Sequence, residues 1–140
     1  MKGFTLVEVV VVLLILGLVA ATAMPALPSV RALTPAEEAR LQVVALVAHA
    51  RKSALDRAAT ATLRINAASL AWRLTIASAD SAQTEEGKLH LPEGATLADP
   101  DGSILARFYP DGTADAEPIV AQGGGQTEVV RLNRWTGVPE

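Results

Sequence analysis

The segment KGFTLVE occupies residues 2–8, and an apolar stretch continues from it to residue 24. The 21 residues from Phe4 onward in this stretch include a single charged side chain, that of Glu8. A helix of this length spans roughly 30 Å, about the thickness of the hydrocarbon core of a bilayer. Because a membrane-spanning segment must satisfy its backbone groups internally, the stretch predicts a transmembrane helix over residues 4–24. Lys2 favours a cytoplasmic N-terminus.

Glu8 is the residue that this prediction leaves unexplained. An acid inside a membrane helix costs on the order of 2.5–3.5 kcal/mol, and less near the interface. A cleaved secretory signal is one alternative, because residues 21–23, Ala-Thr-Ala, fit a signal peptidase site. Its basic region would be a single lysine, however, and its apolar run is too long. An ordinary single-span anchor is the other alternative, and it gives Glu8 no purpose. We therefore expect Glu8 to serve a function.

Residues 3–8, GFTLVE, followed at once by an apolar helix, resemble the class III signal of type IV pilins and type II secretion pseudopilins. The resemblance implies that a prepilin peptidase cuts after Gly3 and that Phe4 becomes the N-methylated first residue. It also implies that Glu8 serves assembly, because its carboxylate pairs with an amine created by cleavage and fixes the register of stacked helices. Pro25 stands where this family often has a helix-kinking proline.

The remaining chain suits one small domain. Half of the 140 residues are hydrophobic. Once the N-terminal block up to residue 24 is set aside, roughly 115 residues remain for a fold. The absence of cysteine excludes a disulfide framework, a thiolate metal site and a lipoprotein anchor. The net charge of −3 gives no reason to expect nucleic acid as a partner.

The resemblance implies a leader over residues 1–3 and an assembly helix over 4–24, followed by a link over 25–34 and a periplasmic domain over 35–140. Pro25 and Pro28 predict that the link is kinked. Thr34, Pro35 and Glu37 form a capping-box pattern that predicts a helix over 35–58.

This second helix is predicted to be amphipathic. The face expected to pack on a sheet comprises Leu41, Val44, Ala48 and Leu55, widened by Ala45 and Ala59. Val43 and Leu46 fall outside that face, and two interpretations stay open for them: ordinary surface residues, or contacts with neighbouring protomers.

Beyond residue 59 the apolar period changes to two, which predicts a β region over 61–136. A hairpin is expected from 62–66 and 72–76, then a polar loop over 78–87 and a short strand over 88–91. Further strands are expected at 104–109, at 119–121, where Pro118 suggests an edge or a bulge, and at 128–135. Residues 123–125, Gly-Gly-Gly, predict a flexible loop. The fold class is α+β, with the second helix packed on an antiparallel sheet in a pilin-like arrangement.

The tail carries a second resemblance. FYPDGT at 108–113, VRLN at 130–133 and TGV at 136–138 resemble the C-terminal pattern of the GspH/FimT family. These are minor pseudopilins of type II secretion and minor pilins of type IV pili. Residues 60–103 match that family only in layout, and the calcium-binding loop of the major pseudopilins has no counterpart here.

Catalytic or metal chemistry is not predicted, and neither is a cofactor. His49 is expected on a solvated helix face and His90 in a short strand. Two histidines without cysteine argue against a transition-metal site. Residues 99–102, Asp-Pro-Asp-Gly, begin like a calcium loop but lack its later ligands, so a plain turn is favoured. The glycines at 123–125 are not followed by the lysine of a P-loop.

Arg131, Arg134 and Trp135 could bind a strand of DNA by charge and stacking. Some FimT-like pilins are linked to DNA uptake. A solvated strand face is nevertheless the favoured interpretation, because the chain as a whole is acidic.

The resemblances imply a minor pseudopilin of the type II secretion system, a structural protein and not an enzyme. It would be a single-pass protein of the bacterial inner membrane that joins the periplasmic pseudopilus and helps export folded proteins across the outer membrane. The expected partners are other minor pseudopilins, the major pseudopilin, the inner-membrane assembly platform and the prepilin peptidase. One alternative is a FimT-like or FimU-like minor pilin serving DNA uptake. The other is a small secreted binding domain or enzyme released at Ala23.

Overall fold

The computed structural model of the chain describes residues 5–23, 32–98 and 102–140. The chain forms two compact units, one within the segment that ends at Ala32 and one from Leu33 to Glu140. The predictions for Gly3, Phe4 and the kink at Pro25 lie outside the described residues. So does the choice between a calcium loop and a plain turn at residues 99–101.

The first unit contains helix α1, Leu6–Ala23, within the range expected for the assembly helix. Every described side chain from Thr5 to Val19 is exposed. Among the residues that the structure describes, no helix combines the length and the apolarity of a membrane span. The structure therefore shows the helix but not the transmembrane span predicted over residues 4–24.

The second unit begins with helix α2, Pro35–Asp56. The predicted capping box is present: the Thr34 hydroxyl accepts from the backbone N–H of Glu37 at 3.3 Å, and the Glu37 carboxylate accepts from the N–H of Thr34 at 2.7 Å. Pro35 occupies the first turn, where its missing N–H costs nothing. The helix ends two residues before the predicted position 58, because Ala58 adopts a left-handed conformation with φ of 45°.

The prediction of the packed face of α2 is wrong for Leu41, Ala45, Ala48 and Leu55, which are exposed, whereas Val44 packs against the core and Ala59 is buried in it. Leu41 is 49% exposed and Leu55 38% exposed. Val43 and Leu46 are instead buried in the core, so neither open interpretation of them is right. The buried residues of the helix recur at intervals of three or four: Ala36, Ala39, Val43, Leu46, Val47, Ala50, Ser53 and Ala54. Half of this face is alanine, which lets the helix backbone approach the sheets closely, and small side chains give a weak apolar signal in the sequence.

A five-stranded antiparallel sheet lies against α2. Its strands are β1 (Thr60–Asn66), β2 (Ala71–Ala77), β3 (Ala82–Lys88), β5 (Ser103–Phe108) and β6 (Ala114–Ala116), in the order β3-β2-β1-β5-β6. The predicted β1–β2 hairpin is confirmed, with Leu63 directly opposite Leu74 and both buried.

Strand β3 corrects two predictions. Residues 78–87 were expected as a loop and 88–91 as a strand, yet the strand is Ala82–Lys88 and His90 lies beyond it. β3 is an edge strand held to β2 by backbone pairing along its whole length. Its side chains are mostly exposed and polar, so no hydrophobic alternation marks it in the sequence.

A three-stranded sheet completes the domain, with β4 (Thr96–Ala98), β7 (Ile119–Gly123) and β8 (Gln126–Val130) in the order β4-β7-β8. β7 is therefore central, and the edge or bulge suggested by Pro118 is wrong, because the proline precedes the strand. The expected flexible loop is a two-residue turn. Gly124 and Gly125, at φ of 60° and 75°, join the paired residues Gly123 and Gln126, and only residues that tolerate positive φ suit such a turn.

The β7–β8 hairpin closes over the start of α2. A Cβ on Gly123 would come within 2.9 Å of the Pro35 Cβ and 3.1 Å of the Ala36 nitrogen. Glycine is required at this close approach. The core thus lies between α2 and both sheets, and its largest fully buried side chains include Phe108, Leu63, Ile119 and Val130.

Candidate functional site

Thr5 and Glu8 form a capping box at the start of α1. The Thr5 hydroxyl accepts from the backbone N–H of Glu8 at 3.3 Å. The Glu8 carboxylate accepts through Oε2 from the Thr5 backbone N–H at 3.2 Å and from the Thr5 hydroxyl at 3.3 Å. The two residues therefore satisfy two helix-terminal donors reciprocally.

Sequence reasoning identified Glu8 but missed Thr5. The signal was available, because TLVE at 5–8 has the same T-x-x-E spacing as TPAE at 34–37, which correctly predicted the start of α2. The cost of an acid in an apolar helix drew attention to assembly alone. The structure shows that Glu8 has a local role within its own chain, as the partner of Thr5 in a capping box.

This arrangement holds the carboxylate at a defined place. Its negative charge lies in the first turn of α1, where the helix dipole favours an anion. Within the described residues only Oε2 is engaged, so Oε1 can accept from a cationic donor. Residue 4 directly precedes Thr5, and an α-amino group there would lie close to the capping box along the chain.

The surface of α1 beyond the capping box is apolar and uncovered. Leu6 is 84% exposed, Leu14 69% and Leu18 70%. A contiguous apolar surface of this kind is covered by lipid or protein in a functioning molecule. The structure therefore combines a carboxylate held by Thr5 with an apolar helix surface that is exposed over residues 5–19.

Arg131, Arg134 and Trp135 are exposed, but they do not lie on a strand. β8 spans Gln126–Val130, so the predicted strand over 128–135 is correct only for residues 128–130, and the solvated strand face expected for these three residues is wrong. The three residues belong to a C-terminal loop, which we define as residues 131–140. The loop is closed by side-chain and backbone hydrogen bonds, and it is also bonded to residues far from it in the sequence.

His49 lies on the exposed side of α2, as expected, but it has a partner there. Its Nε2 lies 2.9 Å from the Glu85 carboxylate, and Arg57 lies 3.4 Å from the other oxygen of that group. The hydrogen bond from His49 holds the pKa of Glu85 below its ordinary value. This cluster ties α2 to the edge strand β3. Across the described ranges, no group of three His, Asp or Glu side chains is placed to hold a metal ion.

Comparison with known families gives one match. Residues 1–24 match the prokaryotic N-terminal methylation motif, the class III prepilin signal. The motif implies a protein of the type IV pilin-like or pseudopilin class that is processed by prepilin peptidase and assembles with pilin-like proteins. The match ends before the domain and does not reach the tail that resembles the GspH/FimT family. Neither the curated proteins nor the solved structures provide a match.

Proposed function

We propose that this chain, which carries a prepilin-type N-terminal motif, is a minor pseudopilin of the type II secretion system. In this proposal α1 is held in the inner membrane before assembly, and residues 35–140 form a periplasmic domain. The protein acts as a structural subunit and not as an enzyme. The observation that carries the proposal is the Glu8 carboxylate, fixed by Thr5 at the start of an uncovered apolar helix within that motif.

Processing would give this carboxylate its cation. Cleavage after Gly3 leaves an α-amino group on Phe4, one residue before the capping box. When α1 packs among the helices of neighbouring subunits, both charges leave water, and a buried charge without a partner is strongly destabilising. Pairing of the amine with Glu8, within one chain or between neighbours, therefore selects one helix register over others.

The domain supports a subunit role in a different way. It has the layout of a capped helix packed on antiparallel strands, and its tail resembles the GspH/FimT pattern at 108–113, 130–133 and 136–138. The tail favours a minor pseudopilin or a minor pilin over a major pseudopilin, whose calcium-binding loop has no counterpart in the sequence. Export of folded proteins across the outer membrane would follow from assembly of the pseudopilus.

The decisive experiment replaces Glu8 with leucine in the full chain. We expect Glu8→Leu to insert at least as well as the parent, because an acid is lost from an apolar helix. Cleavage after Gly3 should be retained, whereas crosslinking to other pseudopilins and secretion should fail. Glu38→Leu is the matched control, because Glu38 is an exposed glutamate in the first turn of α2. Full crosslinking and secretion with Glu8→Leu would overturn the proposed role of the carboxylate.

The same strains separate the alternatives. A FimT-like minor pilin of a type IV pilus shares the N-terminal motif. If the chain is such a pilin, Glu8→Leu would abolish pilus assembly or DNA uptake while secretion continued. A secretion operon or a pilus cluster around the gene gives the same distinction. A secreted domain released by signal peptidase would begin at Met24, which is determined by N-terminal sequencing.

A further inference from the structure

The C-terminal loop, residues 131–140, is held closed by hydrogen bonds between its own residues. Asn133 is its centre, because its Oδ1 accepts from the backbone N–H groups of Trp135 at 3.0 Å and Thr136 at 3.2 Å. Its Nδ2 donates to the Glu140 carboxylate at 2.7 Å. Backbone bonds from Asn133 to Val138 and from Glu140 to Arg131 complete the closure.

The loop is also fastened to the rest of the domain. Arg51 of α2 donates through Nε to the Thr136 carbonyl at 2.6 Å, and the N–H of Ala114 in β6 donates to the Arg134 carbonyl at 2.9 Å. Gly137 has a φ of 62°, and a Cβ there would lie 3.0 Å from the Gly112 carbonyl oxygen. The backbone on both sides of Trp135 is therefore fixed.

Trp135 nevertheless extends its indole into solvent, with 77% of the residue exposed. An ordered loop that presents a large aromatic side chain has already lost the conformational entropy that binding would otherwise cost. Tryptophan is also among the residues that most often dominate protein interfaces. The combination of a rigid backbone and an uncovered indole is that of an interface anchor.

The surroundings of Trp135 indicate the chemistry of the partner. Val138 of the same loop is 45% exposed and adds an aliphatic side chain to its surface. The guanidinium groups of Arg131 and Arg134 are exposed and have no hydrogen bond or ion pair among the described residues. An apolar centre with a charged rim is the anatomy of a protein–protein interface.

We propose that the C-terminal loop is the docking site for the periplasmic domain of another pilin-like subunit. The indole of Trp135 fills an apolar recess on that domain, and carboxylates beside the recess face Arg131 and Arg134. The identity of this partner rests on the proposed function. Single-stranded nucleic acid fits less well, because it requires a continuous basic groove with successive stacking platforms. Here the loop presents a single exposed indole, and it also carries the carboxylate of Glu140.

The test is site-specific photo-crosslinking of the full chain in the bacterium that produces it. Trp135→p-benzoylphenylalanine places the crosslinker at the anchor, and the same change at Leu105 is the matched control. Leu105 is 39% exposed and lies on β5 of the five-stranded sheet, outside the loop. A third variant carries the crosslinker at Val12 of α1. Thermal unfolding of each variant, followed by circular dichroism, verifies the fold.

We expect position 135 to crosslink to a protein that itself carries a prepilin-type motif, at a yield at least about tenfold above that of position 105. Adding Arg131→Glu and Arg134→Glu should lower that yield severalfold, and so should Asn133→Ala, which releases the loop. Crosslinks from position 135 to nucleic acid, lipid or nothing, while position 12 still captures a pilin-like subunit, would overturn the docking site and leave the proposed function standing. No crosslink from either position would overturn both.

Discussion

The indole of Trp72 lies over Gly87, its direct partner across the β2–β3 pairing, and fills the space that a side chain at position 87 would need. A Cβ on Gly87 would come within 2.5 Å of Cζ2 of that indole. Position 87 of the edge strand is thus a glycine because the indole of Trp72 occupies the space of a side chain there.

Gly87→Ala should therefore destabilise the domain by about 1–3 kcal/mol, because the indole or the strand must move. Urea unfolding of the full chain in non-ionic detergent measures the change. In a Trp72→Leu background the same alanine should cost less, since the smaller side chain leaves room. Equal losses in both backgrounds would show that the indole is not the cause.

Two leucines on α2 test its packed face. Leu46 is 8% exposed and Leu41 49% exposed, on the same helix. Leu46→Ala should cost about 2–5 kcal/mol through lost burial and a residual cavity. Leu41→Ala should stay within about 0.5 kcal/mol, as expected for a surface change. Urea unfolding of the two variants in parallel measures the difference, and a reversed order would contradict the packing described here.

Stability on the acid side should depend on Glu85. Its pKa is lowered in the folded state, chiefly by the hydrogen bond from His49 and further by Arg57. A lowered folded-state pKa contributes stability that is present above the unfolded value and is lost as the pH falls through the folded one. Glu85→Gln should therefore flatten the loss of stability below about pH 4.5, the ordinary value for this group.

The size of this effect should be under about 1 kcal/mol, because the pair is partly exposed and solvent screens it. Thermal unfolding of the full chain at a series of pH values measures it. Glu86→Gln is the matched control, since Glu86 is the neighbouring glutamate on β3 and its side chain is 58% exposed. If the stability of Glu85→Gln fell with pH as steeply as that of the parent, the contact with His49 would not contribute to stability as described here.

Processing gives a prediction that does not depend on the domain. The membrane-extracted chain should begin with N-methylphenylalanine from Phe4, as shown by mass spectrometry of its N-terminal peptide. A bulky residue in place of Gly3 should block cleavage, because the peptidase must approach that bond closely. Gly17→Ala, a change within α1 where a Cβ would meet nothing within 4 Å, should leave cleavage intact.

The features that sequence reasoning predicted well are those with local causes. The capping box of Thr34 and Glu37 needs four consecutive residues, and the β1–β2 hairpin needs two short alternating runs. The prediction of the packed face of α2 was largely wrong because half of the buried residues are alanine, whose burial depends on how near the sheets come. The loop predicted where β3 lies was wrong because the strand forms through its pairing with β2 and is not marked by its own side chains.

The same division applies to the candidate sites. Glu8 was recognisable because a single acid in an apolar stretch has a known energetic cost. The C-terminal loop was not, because hydrogen bonds from Arg51 and Ala114, which lie 85 and 20 residues before their partners in the loop, add to the bonds between its own residues. A sequence window around Trp135 contains neither residue. Exposure of the indole is thus a property of the folded domain.

The contact between Gly123 and the start of α2 has a consequence for the order of folding. Residues 35 and 36 begin the domain and residue 123 lies near its end, so the first turn of α2 acquires its cover only after most of the chain is available. Contacts at such sequence separations carry a loop-closure cost that must be met before they stabilise anything. The cover of the first turn of α2 therefore depends on the β7–β8 hairpin, and a chain that stopped before this hairpin would leave the start of the helix open to solvent.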